Sequence, residues 1–178
     1  MQKHGKQKAT PVPLRCLLFP TNFFKRSNMP QHPLTGTWTL LTYTIINQEG
    51  TKLAEPFGPH PQGLLIYTEN GFMSGHIMSN NRPPSQSHLP HKASPEEKIL
   101  AFDTYLGYCG TYELLQDRVI HHVTTCHFPN WIGTDLIRIM QLDGNLLTLT
   151  APPVITKGKT RTVRITWRRL HISTENLS

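Results

Sequence analysis

The stretch Gly63-Leu-Leu-Ile-Tyr-Thr-Glu-Asn-Gly-Phe-Met-Ser-Gly-His-Ile-Met78 decides the fold. Gly63 to Thr68 and Phe72 to Met78 are both rich in residues that suit a pleated sheet, and Glu69-Asn-Gly71 lies between them. Asn-Gly is a strong hairpin signal, so this segment predicts two antiparallel strands joined by a tight turn. Upstream, patterned sequence begins near Leu34, and Thr37 to Ile46 reads as another strand, dominated by Thr, Trp, Leu, Tyr and Ile. Asn47-Gln-Glu-Gly50 reads as a turn. Pro56-Phe-Gly-Pro59 and Pro61 are an irregular connection, because prolines this dense cannot donate to a ladder.

Downstream, Ser79 to Ala93 carries three prolines, two histidines and several Ser and Asn residues. It predicts a long loop, and such loops in compact domains often serve as lids or binding loops. Ser94-Pro95-Glu96-Glu97 has the marks of a helix start: Ser as N-cap, Pro at the first helical position, and acids where the helix dipole favours them. The expected helix covers about residues 95–106, with Ile99, Leu100, Phe102, Tyr105 and Leu106 as its apolar face and Gly107 as its stop. Short strands then follow: Tyr108 to Leu115, Arg118 to Phe128, Thr134 to Leu142, Leu146 to Ala151 and Thr160 to Leu170. Gln116-Asp117 and Asp143-Gly144 are tight turns. The fold class is therefore mainly β, an eight-stranded antiparallel barrel with one short helix; eight strands enclose just enough room for one small ligand.

The formal charge of +7 resides outside this pattern. Lys3, Lys6, Lys8, Arg15, Lys25 and Arg26 all precede the first acid, Glu49, and setting these six aside leaves twelve basic against eleven acidic residues. Residues 1–32 thus read as a basic leader outside the fold, 33–171 as the barrel domain and 172–178 as a tail. Nucleic-acid binding loses its electrostatic basis once the leader is removed. The run Lys157, Lys159, Arg161, Arg164, Arg168 and Arg169 reads as a solvated sheet face or a charged edge, with Arg164 and Arg168 on one side and Arg161 and Arg169 on the other. No apolar run is long enough for a membrane-spanning helix, and a cytoplasmic location is the expectation. Of Cys16, Cys109 and Cys126, the two in the barrel are expected to be small buried thiols rather than a disulfide framework.

Gly36-Thr-Trp38, Pro56-Phe-Gly-Pro59, Gly63-Leu-Leu-Ile-Tyr67, Gly71-Phe-Met-Ser74, Tyr105-Leu-Gly-Tyr-Cys-Gly-Thr-Tyr112, His121-His-Val123, Pro129-Asn-Trp-Ile-Gly-Thr134 and Leu142-Asp-Gly-Asn-Leu-Leu-Thr148 occur in this order. Together they resemble the lipocalin-like domain family of bacteria and fungi, from about Leu34 to Leu170. The resemblance implies a lipocalin-type barrel, often encoded among genes for secondary metabolites, with Trp38 closing its bottom. Some similar fungal proteins are regarded as cofactor-free tailoring enzymes. No catalytic set transfers from the family, since a fold hosts functions without specifying one.

Ten histidines invite a metal site, yet no His-x-x-x-His or Cys-x-x-Cys spacing occurs; His76, His121 and His127 would have to meet across strands. No metal and no cofactor are expected, for no glycine-rich phosphate loop or nucleophile elbow is present either. General acid–base chemistry fits the composition better, with His76, Tyr112, Glu113 and Asp135 as candidate proton donors and acceptors. Tyr67, Tyr108, His121, His122, His127, Trp131 and Arg138 are the candidate ligand-binding residues, with Trp131 at the rim. His121 and His122 must point to opposite faces of their strand, so one of them at most faces the interior. If Glu113 faces inward, Arg138 is its natural partner; otherwise both are outer-face charges. The expectation is a small-molecule-binding barrel acting as an isomerase, cyclase or hydrolase on a polyketide-like compound. The alternative is a non-catalytic carrier of an apolar small molecule. Both require a hollow interior.

Overall fold

The computed structural model describes residues 33–170; the expected leader and tail lie outside them. Its strands are β1 (Gly36–Ile46), β2 (Lys52–Ala54), β3 (Gln62–Tyr67), β4 (Phe72–Met78), β5 (Tyr105–Leu114), β6 (Arg118–Cys126), β7 (Asp135–Asp143), β8 (Leu146–Thr150), β9 (Val154–Thr156) and β10 (Lys159–Arg169). They pair antiparallel in the order β2-β1-β3-β4-β5-β6-β7-β8-β10-β9, and β10 returns to β1 with Trp38 opposite Arg169 and Ile46 opposite Thr162. That last pairing closes β1, β3 to β8 and β10 into an eight-stranded barrel with no free edge. The hairpin read from Asn70-Gly71 is present: Tyr67 opposes Met73, and Gly71 has φ +85°.

The short strands β2 and β9 are absent from the sequence reading. Each has three residues, all exposed, so no alternation of apolar and polar positions marks them. They lengthen the β1 and β10 hairpins at the same end of the barrel.

The two ends differ in their connections. Residues 68–71, 115–117 and 144–145 make tight turns at one end. The other end carries 47–61, 79–104, 127–134 and 151–158. Long loops can surround an entrance, whereas tight turns leave the bottom to be sealed by side chains. Trp38, wholly buried, provides the seal: its indole N–H donates to the Leu34 carbonyl at 2.9 Å, and the Arg169 guanidinium lies 4.1 Å from the ring centroid. Leu65 opposes it on β3, and Leu34, Tyr67, Val119 and Leu147 belong to the same buried cluster. Arg164 and Arg168 are exposed on β10 while Arg161 and Arg169 are half-buried, so the basic run divides between the two faces as expected.

The helix is shorter than its sequence pattern. α1 (Pro95–Asp103) begins with the Ser94–Glu97 capping box, each side chain satisfying the other's backbone N–H. It ends at Thr104, and Tyr105 and Leu106 belong to β5, where Tyr105 opposes Met78 and Leu106 opposes Ile77. Ladder pairing with β4 takes those residues before Gly107 is reached. The helix buries none of its residues; Ile99, Leu100 and Phe102 are exposed, correcting the expectation of a packed apolar face. Among the described residues, no helix is long and apolar enough to cross a membrane.

A bulge between β5 and β6 leaves Gly110 opposite Val123 with Thr124 displaced. A Cβ at Gly110 would stand 1.9 Å from the His122 carbonyl oxygen, so this approach requires glycine. Cys109 and Cys126 flank the bulge as free, half-buried thiols.

Candidate functional site

Strand alternation sorts the candidate residues into two sets. Gly75 and Ile77 on β4, Leu106 and Tyr108 on β5, His121 on β6, Arg138 on β7, Leu149 on β8, and Ile165 and Trp167 on β10 line one interior cavity, joined by Tyr43, Leu65 and Trp131. His76, Glu113 and Asp135 are exposed on the opposite face of the same strands.

The interior is organised around His121, which has no exposed surface. Its Nε2 lies 2.7 Å from the Tyr67 hydroxyl and its Nδ1 lies 2.9 Å from the Tyr108 hydroxyl. Burial, helped by the positive charge of Arg138, holds the His121 pKa down at about 3, so the ring is neutral. One ring nitrogen therefore donates to a tyrosine oxygen while the other accepts from a tyrosine O–H. Burial likewise pushes the Tyr67 phenol well above its ordinary range, and those of Tyr108 and Tyr43 upward, with Arg138 opposing each shift. The chain Tyr67–His121–Tyr108 is thus an uncharged hydrogen-bonded line across the middle of the barrel. Tyr112 sits nearer the closed end, where its hydroxyl donates to the Thr68 carbonyl at 3.0 Å and its ring meets Tyr67 edge-on at 4.8 Å.

Trp131 belongs to the 3₁₀ turn Pro129–Trp131 between β6 and β7, at the end with the long loops. Its ring stands edge-on to Tyr108 at 6.1 Å, placing it over the cavity from the mouth. Arg138 faces inward, and its side chain donates to the Ile137 carbonyl at 2.8 Å. Glu113 does not: it faces outward, 3.9 Å from His122. The two alternatives considered for Glu113 and Arg138 are both corrected, because the charges fall on opposite faces and only one of them is outside.

His122 points outward, where its Nδ1 lies 2.7 Å from Asp135. His76 also lies outside, bridging the Ser74 hydroxyl at 2.9 Å and the Tyr105 hydroxyl at 2.5 Å. His127 stacks on Phe102 with ring centroids 4.0 Å apart and meets the Phe102 carbonyl through Nε2 at 3.1 Å. His76, His121 and His127 accordingly do not converge.

Tyr43 and Trp167 line the cavity without having been singled out from sequence. The parity that makes Trp38 and Leu40 inward would turn Tyr43 outward, but a β-bulge between Leu40 and Thr42 reverses it, and Tyr43 pairs with Ile165. The alternation Val163, Ile165, Trp167 was the available signal for Trp167.

The free volume enclosed by the lining side chains is about 20 Å³. That is room for about one water. The expected hollow is corrected in extent: Trp131, Arg138, Tyr108 and Trp167 fill much of it, and an aromatic guest enters only if mouth side chains move aside. Two hollows outside the barrel are roomier, about 200 Å³ between Arg82-Pro83-Pro84-Ser85 and α1, and about 170 Å³ beside Phe57 and His60.

An eight-stranded antiparallel barrel sealed at one end by a tryptophan, with a largely apolar interior beneath long loops, defines a barrel of the lipocalin type. A profile of the lipocalin-like domain family matches residues 35–170, and the chain belongs to that family. The chain is 32% identical over 107 residues to the 4′-hydroxy-3′-methoxypropiophenone carrier protein of Aspergillus oryzae, covering 55% of this chain and 96% of that protein. No solved structure matches the chain.

Proposed function

We propose that this protein binds and carries a small, mostly apolar aromatic molecule inside its barrel. One observation carries the reading: Tyr67, His121 and Tyr108 bond to one another across the interior, while His76, His122, Glu113 and Asp135 stand outside. A cavity walled by Leu65, Ile77, Leu106, Leu149, Ile165 and aromatic rings suits an aromatic guest, with a few convergent polar groups to orient it. The similarity to a carrier of a hydroxylated, methoxylated aryl ketone supports the same class of cargo. A cytoplasmic site of action accords with this reading.

Trp131 and Trp167 provide the measurement. Titrating the protein with 4-hydroxyacetophenone is expected to quench tryptophan fluorescence with one molecule bound per chain, and the compound is recovered unchanged. Trp131→Ala is expected to accelerate association severalfold by widening the mouth. An unchanged spectrum up to millimolar compound would count against the carrier reading.

A second reading has its own observation in support. Tyr108 lines the cavity with its hydroxyl hydrogen-bonded to the neutral His121 ring, so it can give a proton to one atom of a substrate and recover one from another, ending the cycle uncharged, as a cofactor-free isomerase, cyclase or hydrolase acting on a polyketide-like substrate would need. In that reading Tyr108 meets the substrate, Tyr112 and Tyr67 support the line, and the outward His76, Glu113 and Asp135 act only on a molecule held outside the barrel. Product formation that is lost in His121→Gln would establish it.

A further inference from the structure

We infer that the barrel selects aromatic guests carrying an anionic oxygen, as an acidic phenol or a carboxylate, and that Arg138 is the residue that receives it. This inference rests on the binding reading above and assigns its specificity. Arg138 lines the interior cavity, and its Nε is buried without an acceptor. Among the described residues no carboxylate comes within ion-pair distance of it: Glu113 and Asp135 both face His122, on the other side of the sheet. A guanidinium turned into an apolar barrel without a counter-charge is costly, and structures usually compensate such a group with an anion.

A second donor points to the same guest. Trp167, only 2% exposed, lines the same cavity, and its indole N–H is also buried without an acceptor. Buried donors are nearly always satisfied, so two such groups in one cavity call for an acceptor from outside the chain. The other titratable groups around the cavity are Tyr43 from β1, Tyr67 from β3, Tyr108 from β5, whose hydroxyl is hydrogen-bonded to the Arg138 side chain, and His121 from β6; all are neutral, so among the described residues Arg138 supplies the only formal charge there. Phenolate and carboxylate oxygens take two N–H donors from a guanidinium fork, which a methyl ether cannot match.

Three compounds of similar size separate the possibilities: 4-hydroxyacetophenone, its methyl ether 4-methoxyacetophenone, and 4-acetylbenzoate. Tryptophan fluorescence gives the affinities, and the phenolate absorption band reports ionisation of the bound phenol across a pH series. The phenol or the carboxylate is expected to bind roughly tenfold or more tightly than the ether, a difference of about 1.4 kcal/mol. The tighter of the two identifies which oxygen the site takes. For the phenol, the phenolate band is expected at lower pH when bound than when free. Arg138→Gln should abolish the preference and the band shift, so that the phenol, the carboxylate and the ether bind alike, and Arg138→Lys should retain part of both. If all three bind equally to the unaltered protein, with no shift of the phenolate band, the inference fails and the carrier reading survives. If none binds, both fall together.

Discussion

His121 and His122 are neighbours in sequence with opposite environments. His121 is wholly buried between two tyrosine hydroxyls and is kept neutral; the His122 side chain is 39% exposed and sits between Asp135 and Glu113. One pleat separates an inner face whose histidine and tyrosines are neutral from an outer face where carboxylates surround a histidine. Residue types that look like a single acid–base constellation in the sequence are thereby divided by the thickness of the sheet.

The sharpest way to probe that division is to remove the inner ring. His121→Leu preserves volume but leaves the Tyr67 hydroxyl buried without a partner and deprives Tyr108 of its bond, and it should cost about 2–4 kcal/mol of stability in urea unfolding. A loss under 1 kcal/mol would mean that the Tyr67–His121–Tyr108 line contributes little.

Acid should reveal the same asymmetry at smaller amplitude. The folded protein holds His121 at about 3 against an ordinary 6.5, so below pH 6.5 the unfolded chain takes up a proton that the fold refuses. This contribution to stability is complete above pH 6.5 and declines as the pH falls toward 3, by about 2 kcal/mol at pH 5. Thermal melts across pH 5 to 7 should show the loss, and in His121→Leu this component should vanish.

The outer face should respond least. His122→Ala removes exposed contacts to Asp135 and Glu113, and its cost is expected within about 1 kcal/mol, shrinking with added salt. A larger loss would show that the outer cluster does more than decorate the sheet.

Much of the barrel was legible because its signals are local. Gly71 and Gly144 close turns through backbone sterics, the second turn being Gly144-Asn145 because Asp143 still pairs with Leu146, and Ser94-Pro95 opens a helix by hydrogen-bonding rules that act over four residues. The site was legible only in part. Tyr108, His121, Trp131 and Arg138 do meet at the cavity, with Tyr67 bonded to His121 behind it, but His76, His122, Glu113 and Asp135 fall on the other face. Tyr43 was missed because a bulge at Leu40–Thr42 shifts the strand's parity, and such a bulge leaves no mark in the residues themselves. The helix end was misplaced because pairing of Tyr105 and Leu106 with β4 outcompetes a helical pattern.

By itself, then, the sequence determined the eight strands of the barrel wall, the hairpins, the helix start and the confinement of excess charge to the N-terminal residues, since each depends on neighbours along the chain. Tertiary structure alone decided which histidine is buried, that Arg138 faces the interior without a carboxylate, and how little free space remains there. Those outcomes depend on register and closure, where a shift of one residue exchanges the inside of the barrel for its outside.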